Sequence, residues 1–281
     1  MPATDYFSFT YFHVSFPREY VAHVEINRPD KLNSFAQPMW LELRQVFSQL
    51  SHDPSVRAIV LSGAGDKAFT TGLDVKAASQ TLFADDDIKD PARKAAQLRR
   101  HIDEFQDCVS AVERCEKPVI AVLHGFTLGL GIDLSTATDV RVCSRDARFS
   151  VKEVDIGLAA DVGTLSRLPK IVGSYGWVKE VALTARTFGP DEALRVGFVN
   201  NVYESKAAAL DAAVELAGLI ASKSPVAVQG TKELLNWSRD HSVQDGLRYT
   251  GAWNSAALQT ADIKAALFSG LNKRTPTFEK L

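Results

Sequence analysis

Two short apolar runs constrain this chain most: "AIVLSG" at 58–63 and "PVIAVLHG" at 118–125. Both read as buried strands, being short, rich in β-branched residues and bounded by turn formers. Between them, 92–114 carries a helical pattern. Strand, helix and strand make a β-α-β unit, which argues for partly parallel pairing and an α/β fold.

The flanks extend this reading. "FHVSF" and "VAHVEI" alternate apolar and polar residues across "PREY", as two strands joined by a tight turn do. Asn27 to Asp30 breaks the alternation, and 38–50 has helical periodicity with Met39, Leu43, Val46 and Leu50 on one stripe. "VRVCS" and "RFSVK" read as further short strands. Helical patterns then follow at 174–185, 190–196, 207–221, 225–239, 243–258 and 262–271. The expected organisation is an α/β core over 1–200 that carries the site and a helical region over 201–281, joined near 190–205. The acidic run Asp85–Asp87 is read as loop or solvated face.

Bulk properties remove several function classes. A formal net charge of -2 argues against a nucleic-acid partner or a polybasic membrane surface. Cys108, Cys115 and Cys143 lack CxxC spacing and suit buried small apolar groups in a reducing compartment. No apolar run approaches the roughly 20 residues of a membrane span. The N-terminus carries an acid and no early arginine, so it is a poor signal or transit peptide. The C-terminal Glu279-Lys280-Leu281 differs by one residue from a peroxisomal S-K-L address; the expected location is the peroxisome, with mitochondrion and cytoplasm as alternatives. The phosphate-loop, HExxH and GxSxG patterns are absent, and no metal site is expected. His124 reads as a buried, hydrogen-bonded histidine or a strand-end residue.

Three segments carry chemistry. In "HGFTLGLGID", Gly125, Gly129 and Gly131 follow a strand and open a helix, leaving backbone N–H groups suited to an anionic oxygen. In "KAFTTGLDVKA", Gly72 permits a sharp turn after a strand and Leu73 presents another N–H. Two such N–H groups aimed at one point suit a thioester oxygen that gains charge on enolisation, whereas separately each is an ordinary strand-exit turn. Asp133, Glu153 and Asp161 sit among apolar residues and glycines, where carboxyls tend to have raised pKa values. Helix capping by Asp161, a helix N-terminal preference for Asp133, and a strand on which Glu153 and Asp155 share a solvated face are the competing structural readings.

"RPDKLNSF", "AFTTGLDVKA" and the stretch from "KPVIAVLHG" to "LSRLP" resemble the crotonase (enoyl-CoA hydratase/isomerase) superfamily, from about His23 to the C-terminus. Asp133, Glu153, Asp161 and "SKSPVAVQGTKELLNWSRDHSVQDGL" resemble its Δ3,5-Δ2,4-dienoyl-CoA isomerase branch. The resemblance implies a spiral of β-β-α units, a helical C-terminal trimerisation region, and a homotrimer or homohexamer. It implies that the N–H groups of Leu73 and Leu130 bind the thioester oxygen. Lys31, Leu32, Thr71, Gly72 and Lys273 are implied to contact the acyl-CoA substrate, with no cofactor beyond the coenzyme A that arrives on it. Hydratases carry two glutamates and a glycine where this chain has Asp133, Glu153 and Asp161, so proton transfer is expected in place of water addition. Glu153 and Asp161 are the expected transfer pair, with Asp133 tuning them. Asp161 is assigned to the alpha carbon and Glu153 to the distal one, without a residue-level reason for that order. The alternatives are a hydratase, a Δ3-Δ2-enoyl-CoA isomerase, and an inactive acyl-CoA-binding scaffold.

Overall fold

The computed structural model describes residues 6, 8–77, 90–271 and 274–281. The acidic run Asp85–Asp87 and Lys273 lie outside the described residues. Strands β1 (Phe12–Arg18) and β2 (Val21–Ile26) form the antiparallel pair expected around "PREY". Helix α1 (Gln37–His52) follows, with Met39, Leu43, Val46 and Leu50 fully buried.

Three strand pairs, each followed by a helix, come next. They are β3 (Ala58–Gly63) and β4 (Ala68–Thr70) before α2 (Pro91–Arg114), then β5 (Val119–Leu123) and β6 (Phe126–Leu128) before α3 (Leu130–Thr136). The last pair, β7 (Val140–Ser144) and β8 (Arg148–Ser150), leads to α4 (Thr164–Ile171). The first strand of each pair enters one sheet and the second enters another. The large sheet runs β1-β2-β3-β5-β7-β9, with β9 at Asn201–Tyr203, and is parallel from β2 onward. The small sheet runs β4-β6-β8, all parallel. This is the spiral of β-β-α units that the resemblance implies.

The large sheet is covered on both faces, which explains why its strands read as continuous apolar runs. Ala58, Val60, Ile120, Val122 and Val142 pack against Ala209, Ala213, Ala217 and Ala221 of α7 (Lys206–Ala221). Alanine at every fourth position lines one side of that helix, so its backbone can lie close to the sheet. Ile59, Leu61, Val119, Ala121 and Leu123 point the other way, into the core that holds α1 and α2. Between α4 and α7 lie α5 (Tyr175–Thr184) and α6 (Pro190–Val196). The chain continues as α8 (Pro225–Ser238), α9 (Val243–Ala257) and α10 (Ala261–Leu271). Val243, Leu247, Leu267 and Leu271 on the last two helices, and Leu258 between them, are exposed.

The two sheets are joined where β5 passes into β6. His124 is fully buried, and its Nε2 donates to the carbonyl of Gly65 at 2.9 Å. Burial pulls this imidazole down to about 4, so it is neutral, the hydrogen-bonded histidine of the first reading. Gly125 follows with φ +50, and a Cβ there would lie 2.1 Å from the Lys67 carbonyl oxygen. Backbone strain and backbone collision coincide at this position. We predict that Gly125→Ala destabilises the fold by about 3 kcal/mol or more in chemical denaturation.

Candidate active site

Parallel pairing sets the C-terminal ends of β4, β6 and β8 side by side, and the chain leaves each through a short turn. Thr71, Gly72 and Leu73 leave β4; Gly129 and Leu130 leave β6; Lys152 and Glu153 leave β8. All of them line a cavity of about 330 Å³ that also receives Asp133 and Asp161. The two glycine turns and the three acids singled out from the sequence therefore meet in one place.

The turns are packed tightly. Gly129 donates its N–H to the Ser150 carbonyl at 2.9 Å, tying the exit of β6 to the end of β8. Gly72 has φ +91, and a Cβ there would stand 2.9 Å from the Leu128 carbonyl oxygen and 3.4 Å from the Leu130 nitrogen. Only glycine allows the two turns to approach this closely. Among the described residues, the N–H groups of Leu73 and Leu130 have no backbone acceptor. Leu73 pairs with Phe35 through its neighbours: Phe35 N–H donates to Gly72 O and Asp74 N–H to Phe35 O, both at 2.8 Å.

The acids occupy distinct environments. Asp133, one turn into α3, is almost fully buried; its Oδ1 accepts from the Thr164 N–H at 2.6 Å and the Thr164 hydroxyl at 2.8 Å. Its carboxylate thus reaches across to the start of α4, not along its own helix. Burial pushes its pKa up to about 6, and the Thr164 donors oppose that rise. Glu153 is pushed up to about 7, first by burial and next by the charge of Asp133. Its Oε2 is buried without a hydrogen-bond partner among the described residues. Asp161 is raised by burial, with His101 pulling it back. Its backbone carbonyl accepts from Gln106 of α2 at 2.5 Å.

Two structural readings are corrected here. Glu153 and Asp155 do not share a strand face: a 3-10 turn spans Glu153–Ile156, and Asp155 pairs with Lys152 at 2.7 Å outside the acid cluster. Asp161 does not cap α4; Gly163 holds the N-cap position, and the carboxylate serving that helix start is Asp133. Thr71 and Gly72 line the cavity, whereas Lys31, which is exposed, and Leu32 do not. The Leu32 carbonyl accepts from the Thr71 N–H at 3.1 Å.

The opposite wall comes from residues the sequence reading passed over: Trp40 of α1 and Leu98, His101, Ile102 and Phe105 of α2. Trp40 stacks on Phe105 at 4.0 Å between ring centroids and meets His101 edge-on at 5.9 Å. Their signal is slight. Trp40 stands one position off the stripe that includes Met39 and Leu43 and is buried where the core meets the cavity.

The Glu153 carboxyl makes folding depend on pH. Its native pKa of about 7 lies above the ordinary 4.5, so the folded chain holds the proton more tightly. The associated stability is complete below about pH 4.5 and is lost as pH rises through 7. Glu153→Gln removes that loss. The variant is predicted to match the parent near pH 4 and to exceed it by about 3 kcal/mol at pH 8 in urea denaturation.

Residues 18–280 match the family described as enoyl-CoA hydratase/isomerase. The chain is 48% identical over 98% of its length to a human protein named mitochondrial Delta(3,5)-Delta(2,4)-dienoyl-CoA isomerase, covering 84% of that protein. It is 45% identical to the peroxisomal Delta(3,5)-Delta(2,4)-dienoyl-CoA isomerase of Arabidopsis thaliana, over 93% of each. Among solved structures, a putative enoyl-CoA hydratase from Streptomyces coelicolor superposes with a TM-score of 0.88 at 29% identity, over 99% of this chain and 97% of the other. The fold, the converging strand exits and these matches agree: the chain belongs to the enoyl-CoA hydratase/isomerase family.

Proposed function

We propose that this protein is a Δ3,5-Δ2,4-dienoyl-CoA isomerase, acting in the oxidation of unsaturated fatty acids, and that its cavity moves a proton along a conjugated acyl chain. The observation that carries the reading is three raised carboxyls converging beside two free backbone donors in one mostly apolar cavity. Relatives at 45–48% identity bearing that activity's name support it.

The N–H groups of Leu73 and Leu130 receive the thioester oxygen and stabilise the charge that grows there when carbon 2 loses a proton. Glu153 is the base at carbon 2. Its Oε1 is 3.2 Å from where a Cβ on Gly129 would stand, which puts it beside the turn carrying Leu130. A base with a pKa near 7 is well matched to neutral pH. The electron pair passes through the conjugated system, the double bonds move from 3,5 to 2,4, and carbon 6 takes a proton from Asp161. This is the reverse of the order first assigned to the two acids. Each step uses this chain's carboxyls and backbone donors; coenzyme A arrives as part of the substrate, its contacts being Lys31, Leu32, Thr71, Gly72 and Lys273. The Trp40–Phe105 stack suits the flat, polarisable dienoyl chain. Hydratase activity is disfavoured because the Asp133 carboxylate is engaged by Thr164 and has no second glutamate's reach toward a water.

The exposed apolar residues of α9 and α10 suit burial against further copies of this chain in a homotrimer or homohexamer. The compartment we propose is the peroxisome; a relative named mitochondrial keeps that organelle as the alternative.

Incubation with a 3,5-dienoyl-CoA is expected to generate the absorbance of the conjugated 2,4-dienoyl thioester. Absence of that signal together with hydration of a 2-enoyl-CoA would overturn the assignment. Asp161→Asn is predicted to lower kcat by about a thousandfold while acyl-CoA binding holds; near-normal turnover would remove Asp161 from the transfer pair.

A further inference from the structure

Thr164 stands out among the fully buried polar groups because both its donors converge on a single carboxylate oxygen from another element. It is the first residue of α4, and its N–H and hydroxyl reach Asp133 Oδ1 at 2.6 and 2.8 Å across 31 positions of sequence. Its side chain and amide are fully buried. Neither of the other two carboxyls is served in this way. Glu153 is served by the backbone N–H groups of Lys152 and of Glu153 itself while its Oε2 has no partner among the described residues, and Asp161 is served by its own backbone N–H, so neither has a side-chain donor.

Donors on a carboxylate favour its charged form, and a fixed negative charge nearby disfavours ionisation of a second carboxyl. Resting on the isomerase reading above, we propose that Thr164 is a positioning residue: it holds Asp133 as the standing anion of the site, and that fixed charge makes Glu153 the stronger base toward carbon 2. The hydroxyl and N–H that Thr164 brings from another element thereby decide which acid gives up its proton first. The start of α4 adds its own weight, since a helix N-terminus favours an adjacent negative charge.

The charged and titratable groups around Asp133 are few. Glu153 approaches from the 3-10 turn after β8 and Asp161 from the loop before α4; both carry the same sign. From α4, Arg167 acts on Asp133, but its guanidinium is committed elsewhere. It pairs with Glu113 of α2 at 3.0 Å and donates to Ser110 Oγ at 2.7 Å. From α2, His101 acts on Asp161. Thr164 thus supplies the direct donors to Asp133, and Arg167 a more distant charge.

Thr164→Val keeps the shape and the amide donor but removes the hydroxyl; Thr164→Ser restores it. The readout is carbon-13 NMR titration of the substrate-free protein, with labelled side-chain carboxyls assigned through Glu153→Gln and Asp133→Asn. It does not depend on which thioester is turned over, so a failed isomerase assay and a failed proposal stay separate. The expected result is a Glu153 midpoint about one pH unit lower in Thr164→Val, an Asp133 midpoint raised, and parental behaviour in Thr164→Ser. A folded Thr164→Val whose Glu153 midpoint matches the parent would overturn the proposal, whatever its loss of stability. If that variant does not fold, the parent decides: Asp133 titrating below Glu153 supports the proposal, and the opposite order refutes it.

Discussion

Parallel pairing of three very short strands, β4, β6 and β8, is the constraint on which the rest of this molecule depends. Each strand is three residues long, so none is stable by itself. Each is held because the strand before it is locked into the large, doubly covered sheet. The junction at His124 and Gly125 transmits that rigidity, with the histidine bonded to Gly65 and the glycine pressed against the Lys67 carbonyl. Three strand ends then point the same way, and whatever leaves them shares one small volume.

That volume is too apolar to hold three fully ionised carboxylates. Burial raises all three acids, and mutual repulsion raises Glu153 further. The cluster consequently keeps protons at neutral pH that separate surface acids would release. Hydrogen bonds decide where those protons sit, which is why Thr164 matters although it faces no substrate in the mechanism above. The same desolvation that costs stability as pH rises makes proton transfer feasible at neutral pH.

Much of the architecture was legible in the residues. The continuous apolar runs announced a sheet covered on both faces, and the helical stripes of α1, α6 and α7 lay close to where periodicity put them. The glycine turns and the three acids were visible because glycines after strands and acids in mostly apolar surroundings are local features. What escaped was long-range. Thr164 looks like an ordinary helix-start residue until Asp133 arrives from 31 positions away. Trp40 and Phe105 are core residues whose second role, lining the cavity, appears only when the helices carrying them pack together. Asp155 lay next to the important acids in sequence, but the 3-10 turn sends it outward to Lys152. Sequence spacing alone does not distinguish that turn from a strand.

The central claim is that this cavity relocates a proton and adds no water. Turnover of a 3,5-dienoyl-CoA in heavy water enriched in oxygen-18, with the product read by mass spectrometry and NMR, tests it most directly. Two separate carboxyls in exchange with solvent predict a 2,4-dienoyl-CoA carrying deuterium at carbon 6 and no oxygen-18 on the acyl chain. A product with oxygen-18 bound to an acyl carbon beyond the thioester would contradict the account.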